Sequence, residues 1–109
     1  MALVSVLIPT YNRPKWLAES LVSVLQQDCP LEVLILDNGS EPETEKVLEM
    51  ARRDPRVKTW RRDENDLDAY SFLLSQVTTK YAVLFTDDDK MLPGNLSSKV
   101  NFLEAHPNV

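Results

Sequence analysis

Apolar residues recur along this chain in two alternating rhythms. Mostly apolar runs at 3–8, 31–36 and 81–85 are short and nearly unbroken. Runs of that length and content read as strands of a buried parallel sheet. Between them, apolar residues fall at helical spacing: Leu17, Leu21, Val24 and Leu25; Val47, Leu48 and Ala51; Ala69, Phe72, Leu73 and Val77; Leu96, Val100 and Leu103. The stretch 57–61 alternates apolar and polar residues, which predicts a half-exposed edge strand with Trp60 as a packing residue. Strand and helix therefore alternate four times, the pattern of a parallel α/β sheet with right-handed crossovers.

The punctuation supports these boundaries. Pro9 is expected to end the first strand, because it cannot donate to a ladder. Pro14 suits the first turn of a helix, and Asp28, Cys29 and Pro30 break that helix. Ser40 and Glu43, with Pro42 between them, predict a capping box at the second helix. Arg52 to Pro55 close it, 62–68 reads as a polar loop, and Pro93-Gly94-Asn95 reads as a turn. His106 and Pro107 stop the last helix.

The run 81–85 is expected to be buried on both faces, in the middle of the sheet. Asp87, Asp88 and Asp89 follow it directly. Three adjacent carboxylates raise one another's pKa unless a cation neutralises them, and hard oxygen ligands suit a divalent ion. Ligands of open α/β sheets bind beyond the carboxyl ends of the strands. The loops after strands one, two and four, at 10–13, 37–40 and 86–89, should converge there.

Composition narrows the chemistry. The 109 residues form one domain, 1–109, and a net charge of −5 argues against a nucleic-acid partner. The single cysteine, Cys29, excludes an internal disulfide and reads as a small apolar filler. The apolar start lacks a basic leader and a cleavage site, so a cytoplasmic protein is expected, one that a longer form could hold at a membrane surface. With only Gly39 and Gly94, neither a dinucleotide fingerprint nor a P-loop is present. The acidic run lacks the spacing of an EF-hand loop. A nucleotide can still be held without glycines. Tyr11 can face a base, Asp37 or Asn38 can accept from a base N–H, a carboxylate can grip a ribose diol, and a divalent ion can take a diphosphate.

Three segments carry a family resemblance: Val4-Ser5-Val6-Leu7-Ile8-Pro9-Thr10-Tyr11-Asn12-Arg13, Leu36-Asp37-Asn38-Gly39-Ser40 and Phe85-Thr86-Asp87-Asp88-Asp89. In order, each at a strand end, they resemble the family 2 glycosyltransferases. The resemblance implies the A-type fold, a three-layer α/β sandwich around a mainly parallel, Rossmann-like sheet. It implies sugar transfer, usually inverting, from a nucleotide diphosphate sugar donor to a saccharide or other acceptor. By position, Pro9, Thr10 and Tyr11 would line the base pocket and Arg13 would approach the nucleotide. Asp37 and Asn38 would sit at the base and Asp87 at the ribose. Asp88, with Asp89, would hold Mn2+ or Mg2+ in a D-x-D arrangement.

The chain departs from the pattern in three places. Many members have two acidic residues where it has Asp37-Asn38. Asn38 can still accept from a pyrimidine N3–H, so a UDP- or dTDP-sugar is expected. Many members have Ala-Arg-Asn where this chain has Ala69-Tyr70-Ser71. Members are also considerably longer, their second half supplying the acceptor site and the catalytic base. The chain is thus expected to be a truncated donor half that binds nucleotide, transfers no sugar alone, and self-associates through a flank the truncation uncovers. A nucleotide-binding module without transferase activity stays open as the alternative. A phosphoacceptor signalling domain fits less well, since its acidic pocket would belong where Pro9-Thr10-Tyr11 stands.

Overall fold

A computed structural model describes residues 2–62 and 68–108. The polar loop expected at 62–68 falls mostly on 63–67, outside the described residues. The elements are β1 (Val4–Thr10), α1 (Pro14–Leu25), β2 (Leu31–Asp37), α2 (Pro42–Ala51), β3 (Val57–Arg61), α3 (Ala69–Ser75), β4 (Tyr81–Leu84) and α4 (Asn95–Ala105). The four strands form one parallel sheet in the order β3-β2-β1-β4.

Side-chain alternation divides the core into two layers. Val4, Val6 and Ile8 of β1 join Val33 and Ile35 of β2 on one face. There they pack against Leu17, Leu21 and Val24 of α1, Leu48 of α2, and Leu96 and Val100 of α4. Leu7, Leu34 and Leu36 point to the other face and meet Ala69 and Leu73 of α3. Both central strands are covered on both faces, which is why their apolar runs are nearly continuous.

Three expectations are corrected here. β4 is an edge strand, not a central one, with Ala82 and Leu84 exposed and Tyr81 and Val83 half-buried. Its apolar content marks one covered face, and the order of the sheet exposes the other. Pro9 lies inside β1 rather than ending it. The Leu3 and Leu7 carbonyls accept from Tyr81 and Phe85 N–H, while Thr10 C=O accepts from Asn38 N–H. By ladder parity Pro9 therefore faces β4, whose pairing has already stopped at Leu7↔Leu84, so no donor is missed. The capping box does not form: Glu41 is the N-cap of α2, without a side-chain cap. Ser40 is engaged instead by the neighbouring loops, as described below.

A polar stripe along α1 and the residues just past its end fixes the segment after β4. Ser20, Ser23 and Gln27 recur at helical spacing. Ser20 Oγ donates to Thr86 O at 3.1 Å, and Met91 N–H donates to Ser23 Oγ at 2.9 Å. Gln27 is buried; its Nε2 donates to Leu92 O at 2.9 Å and its Oε1 accepts from Leu96 N–H at 3.0 Å. One amide thereby satisfies the turn before α4 and an N–H of its first turn, where helices lack internal partners. Gly94 precedes α4 with φ of 79°, a left-handed conformation that favours glycine.

Gln27→Ala should cost about 2 kcal/mol, because it leaves a buried N–H and C=O unpaired. Urea unfolding measures this, with the exposed neighbour Gln26→Ala as control. Equal stability of the two variants would contradict the clamp.

Candidate functional site

The strand order reverses between β1 and β4, since the chain leaves β1 for β2 on one side and returns as β4 on the other. Such a reversal separates the loops at the carboxyl ends and opens a crevice. A cavity of about 520 Å3 lies there, lined by Pro9, Thr10, Tyr11, Arg13, Asn38, Ala69, Tyr70, Thr86, Asp87 and Asp88.

Asp87 is the buried member of the acidic run. Thr10 Oγ1 donates to its Oδ2 at 2.9 Å, tying the end of β1 to the loop after β4. Arg13 Nη1 reaches Asp87 Oδ1 at 3.5 Å and Asp88 Oδ2 at 3.2 Å. The charge that the sequence left for a cation to balance is thus partly met by a guanidinium from the first loop. Asp88 remains half-exposed at the cavity wall. Asp89 accepts from Thr86 Oγ1 at 2.8 Å and is exposed outside the lining.

The loop after β2 is locked by residues far apart in sequence. Asn12, with φ of 51°, takes the left-handed conformation that asparagine tolerates. Its N–H donates to Ser40 Oγ at 2.8 Å, and its Oδ1 accepts from Glu41 N–H at 2.7 Å. Asp37 is fully buried: Oδ1 accepts from Ser40 N–H at 3.0 Å and Oδ2 from Arg61 Nη1 at 2.9 Å. Both its oxygens are committed to the loop, and it stands apart from the crevice. It borders a second cleft of about 850 Å3 between α2 and β3. That cleft is larger, but it lies away from the β1/β4 crevice and the Asp87-Asp88 pair.

Of the nine residues singled out from sequence, seven line the crevice: Pro9, Thr10, Tyr11, Arg13, Asn38, Asp87 and Asp88. Asp37 and Asp89 do not. Sequence reasoning missed Tyr70, which faces the same space from α3 and donates from its hydroxyl to Phe85 O at 3.1 Å. Its signal was an aromatic in the first turn of a helix, directly after a polar loop. Burial first, and then the negative charge of Asp87 and Asp88, push the Tyr70 hydroxyl above its ordinary pKa. Ser20, Ser23 and Asn12 were missed as well, since nothing in their local pattern reveals the distant groups they hold.

The donors present suit a shared metal site rather than a cage. Among the described residues no group of three or more His, Cys, Asp or Glu side chains could hold an ion alone. Mg2+ and Mn2+ ordinarily take one or two carboxylates and complete their shell with phosphate and water. Half-exposed Asp88 beside the crevice meets that requirement, with Asp89 adjacent in sequence.

Comparison with known proteins agrees with this architecture. The family model for glycosyl transferase family 2 matches residues 5–109. An uncharacterized glycosyltransferase of Rickettsia bellii is 29% identical over 107 residues, covering 96% of this chain and 16% of the relative. S. aureus TarS 1-349, solved in complex with UDP-GlcNAc, matches with a TM-score of 0.88 at 26% identity, over 96% of this chain and 32% of that one. The mannosyltransferase PcManGT of Pyrobaculum calidifontis, solved with GDP-Man and Mn2+, matches with a TM-score of 0.83 at 28% identity, over 97% of this chain and 33% of that one. The α/β sandwich expected from sequence is the fold shared with these glycosyltransferases, and the chain spans a third or less of each relative's length. Among the described residues no helix is long and apolar enough to cross a membrane.

The raised pKa of Tyr70 has a measurable consequence. The folded state keeps this proton above the pKa of an unfolded tyrosine, about 10. The associated stability is therefore present below about pH 10 and is lost as pH rises past it. Unfolding free energy measured from pH 8 to 11 should fall more steeply for the native chain than for Tyr70→Phe. Identical slopes would place Tyr70 in a solvated setting.

Proposed function

The chain belongs to glycosyl transferase family 2, and from that membership we propose that it forms the donor half of a glycosyltransferase. In this reading it binds a nucleoside diphosphate sugar together with Mn2+ or Mg2+, for transfer of the sugar to an acceptor. Its donor is a pyrimidine nucleotide sugar, of which UDP- and dTDP-sugars are the kinds expected from the sequence. The observation that carries the reading is the crevice itself. It combines an exposed aromatic ring, a buried amide and a half-exposed carboxylate at one sheet reversal. The donor complexes of TarS and PcManGT support it, as proteins of the same fold that bind UDP-GlcNAc and GDP-Man.

Each residue has a task in this scheme. Tyr11, exposed on the first loop, offers a face for the base. Asn38 meets the base edge from the floor. Asp87, held by Thr10, is directed at the ribose. Asp88, with Asp89, would hold the divalent ion, which when bound supplies Lewis-acid stabilisation of the charge on the departing diphosphate. Arg13 balances Asp87 and Asp88 in the free chain and lies within reach of phosphate, which a guanidinium binds through paired N–H groups. Tyr70 pins the carbonyl of Phe85, two residues before Asp87, so the acidic loop is ordered before donor arrives.

Titration calorimetry with pyrimidine nucleoside diphosphates tests this. Affinity should rise when Mn2+ is present, and Asp88→Asn should abolish that rise while leaving the circular dichroism spectrum and Tm intact. Pyrimidine diphosphates should bind more tightly than GDP or ADP, since a site built on a specific hydrogen bond rejects bases that leave it unpaired. Metal dependence unchanged in Asp88→Asn would remove the metal assignment, and preference for GDP would remove the pyrimidine pocket.

A further inference from the structure

Asn38 decides more than the presence of a base, provided the donor-site reading above holds. The residue is 4% exposed and lines the crevice. Its amide carries one acceptor, Oδ1, and one donor group, Nδ2. Arg62 Nη2 donates to Oδ1 at 3.3 Å. A guanidinium has donors only, so this contact sets which end of the amide is which. The oxygen must face Arg62.

Arg62 is well anchored for that task. Its backbone N–H donates to Asp37 O at 2.8 Å, and its guanidinium lies 5.7 Å from the centroid of the Phe72 ring. The other end of the amide, Nδ2, has no acceptor among the described residues and is not closed off from solvent. In a residue this buried, the open side is the crevice. Asp37, the neighbouring carboxylate able to accept a hydrogen bond, has both oxygens committed to Ser40 and Arg61. The base edge therefore meets a donor at Asn38, the reverse of the acceptor expected from sequence.

We propose that this polarity selects cytosine over uracil and thymine, so that the donor is a cytidine diphosphate sugar. Cytosine presents two adjacent acceptors, N3 and O2, to an N–H group. Uracil and thymine carry a hydrogen on N3. Opposite Nδ2–H two donors would meet and neither would be paired, an arrangement that costs affinity in a desolvated site. Arg62 acts here as a positioning residue, since it reaches the base only through Asn38.

The experiment is calorimetric titration of CDP, UDP, dTDP and GDP, each with Mn2+, into the native chain and two variants. In the native chain CDP should bind about tenfold more tightly than UDP or dTDP. In Asn38→Asp one carboxylate oxygen stays on Arg62 and the other accepts from N3–H, so the preference should invert towards UDP. In Arg62→Met the apolar stem remains but the donor is gone; the amide is free to turn, and the CDP and UDP affinities should converge. UDP or dTDP binding at least as tightly as CDP to the native chain overturns the inference and leaves the donor-site reading standing. A CDP-to-UDP ratio unchanged in both variants overturns it too. If no nucleoside diphosphate binds, or GDP binds tightest, the donor-site reading falls and this inference with it.

Discussion

β1 pairs in register on both sides, from Val4↔Leu31 to Thr10↔Asp37 with β2 and from Val4↔Tyr81 to Leu7↔Leu84 with β4. That double pairing is the constraint on which the site depends. Parallel strands put their carboxyl ends at one edge of the sheet, so three loops distant in sequence must meet there. β4 leaves the ladder three residues before β1 does, and the crevice occupies the space beyond it. The same early exit lets Pro9, which has no N–H to donate, sit within β1.

Charge is handled locally within this frame. The acidic loop is not left to repel itself: Thr10 from the end of β1 and Arg13 from the loop after it reach Asp87, and Thr86 reaches Asp89 from within the same loop. Arg13 also touches Asp88, the carboxylate most open to solvent, so a cation arriving there competes with a half-exposed guanidinium. Exposed ion pairs of that kind contribute little to stability, which makes the contact easy to exchange. Behind the loop, Ser20 and Ser23 on α1 and Gln27 just beyond its end hold the backbone from Thr86 to Leu96. The loop is therefore rigid where it is anchored and adjustable where it faces the crevice.

The polarity of the crevice depends on contacts of the same long range. The guanidinium of Arg62, a residue whose backbone N–H donates to the Asp37 carbonyl, meets the Asn38 amide oxygen and so orients that amide. The acidic neighbour Asp37, chemically the better acceptor, is spent on bracing its own loop. The hydrogen-bonding polarity of the crevice is here a property of the pairing of its side chains, beyond the list of residues that line it.

By itself the amino-acid sequence determined the alternation of strands and helices, the parallel sheet and the edge at which the loops of Tyr11, Asn38 and Asp87 would meet. Those features follow from periodicity: apolar runs and helical spacing act over a few residues, and parallel pairing then leaves one arrangement of the ends. Family membership was legible for the same reason, since its three motifs sit at strand ends. Tertiary structure alone decided that β4 lies at an edge, that Ser40 braces Asn12 and Asp37 instead of capping α2, and that Asn38 turns its oxygen towards Arg62. It also brought Tyr70 to the acidic loop and withdrew Asp37 from the crevice. Each of these outcomes is a choice among hydrogen-bond partners that local patterning leaves equally open. Ser40 can cap its own helix or serve a loop 28 residues away, and which bond forms depends on where the rest of the sheet has carried the competing group.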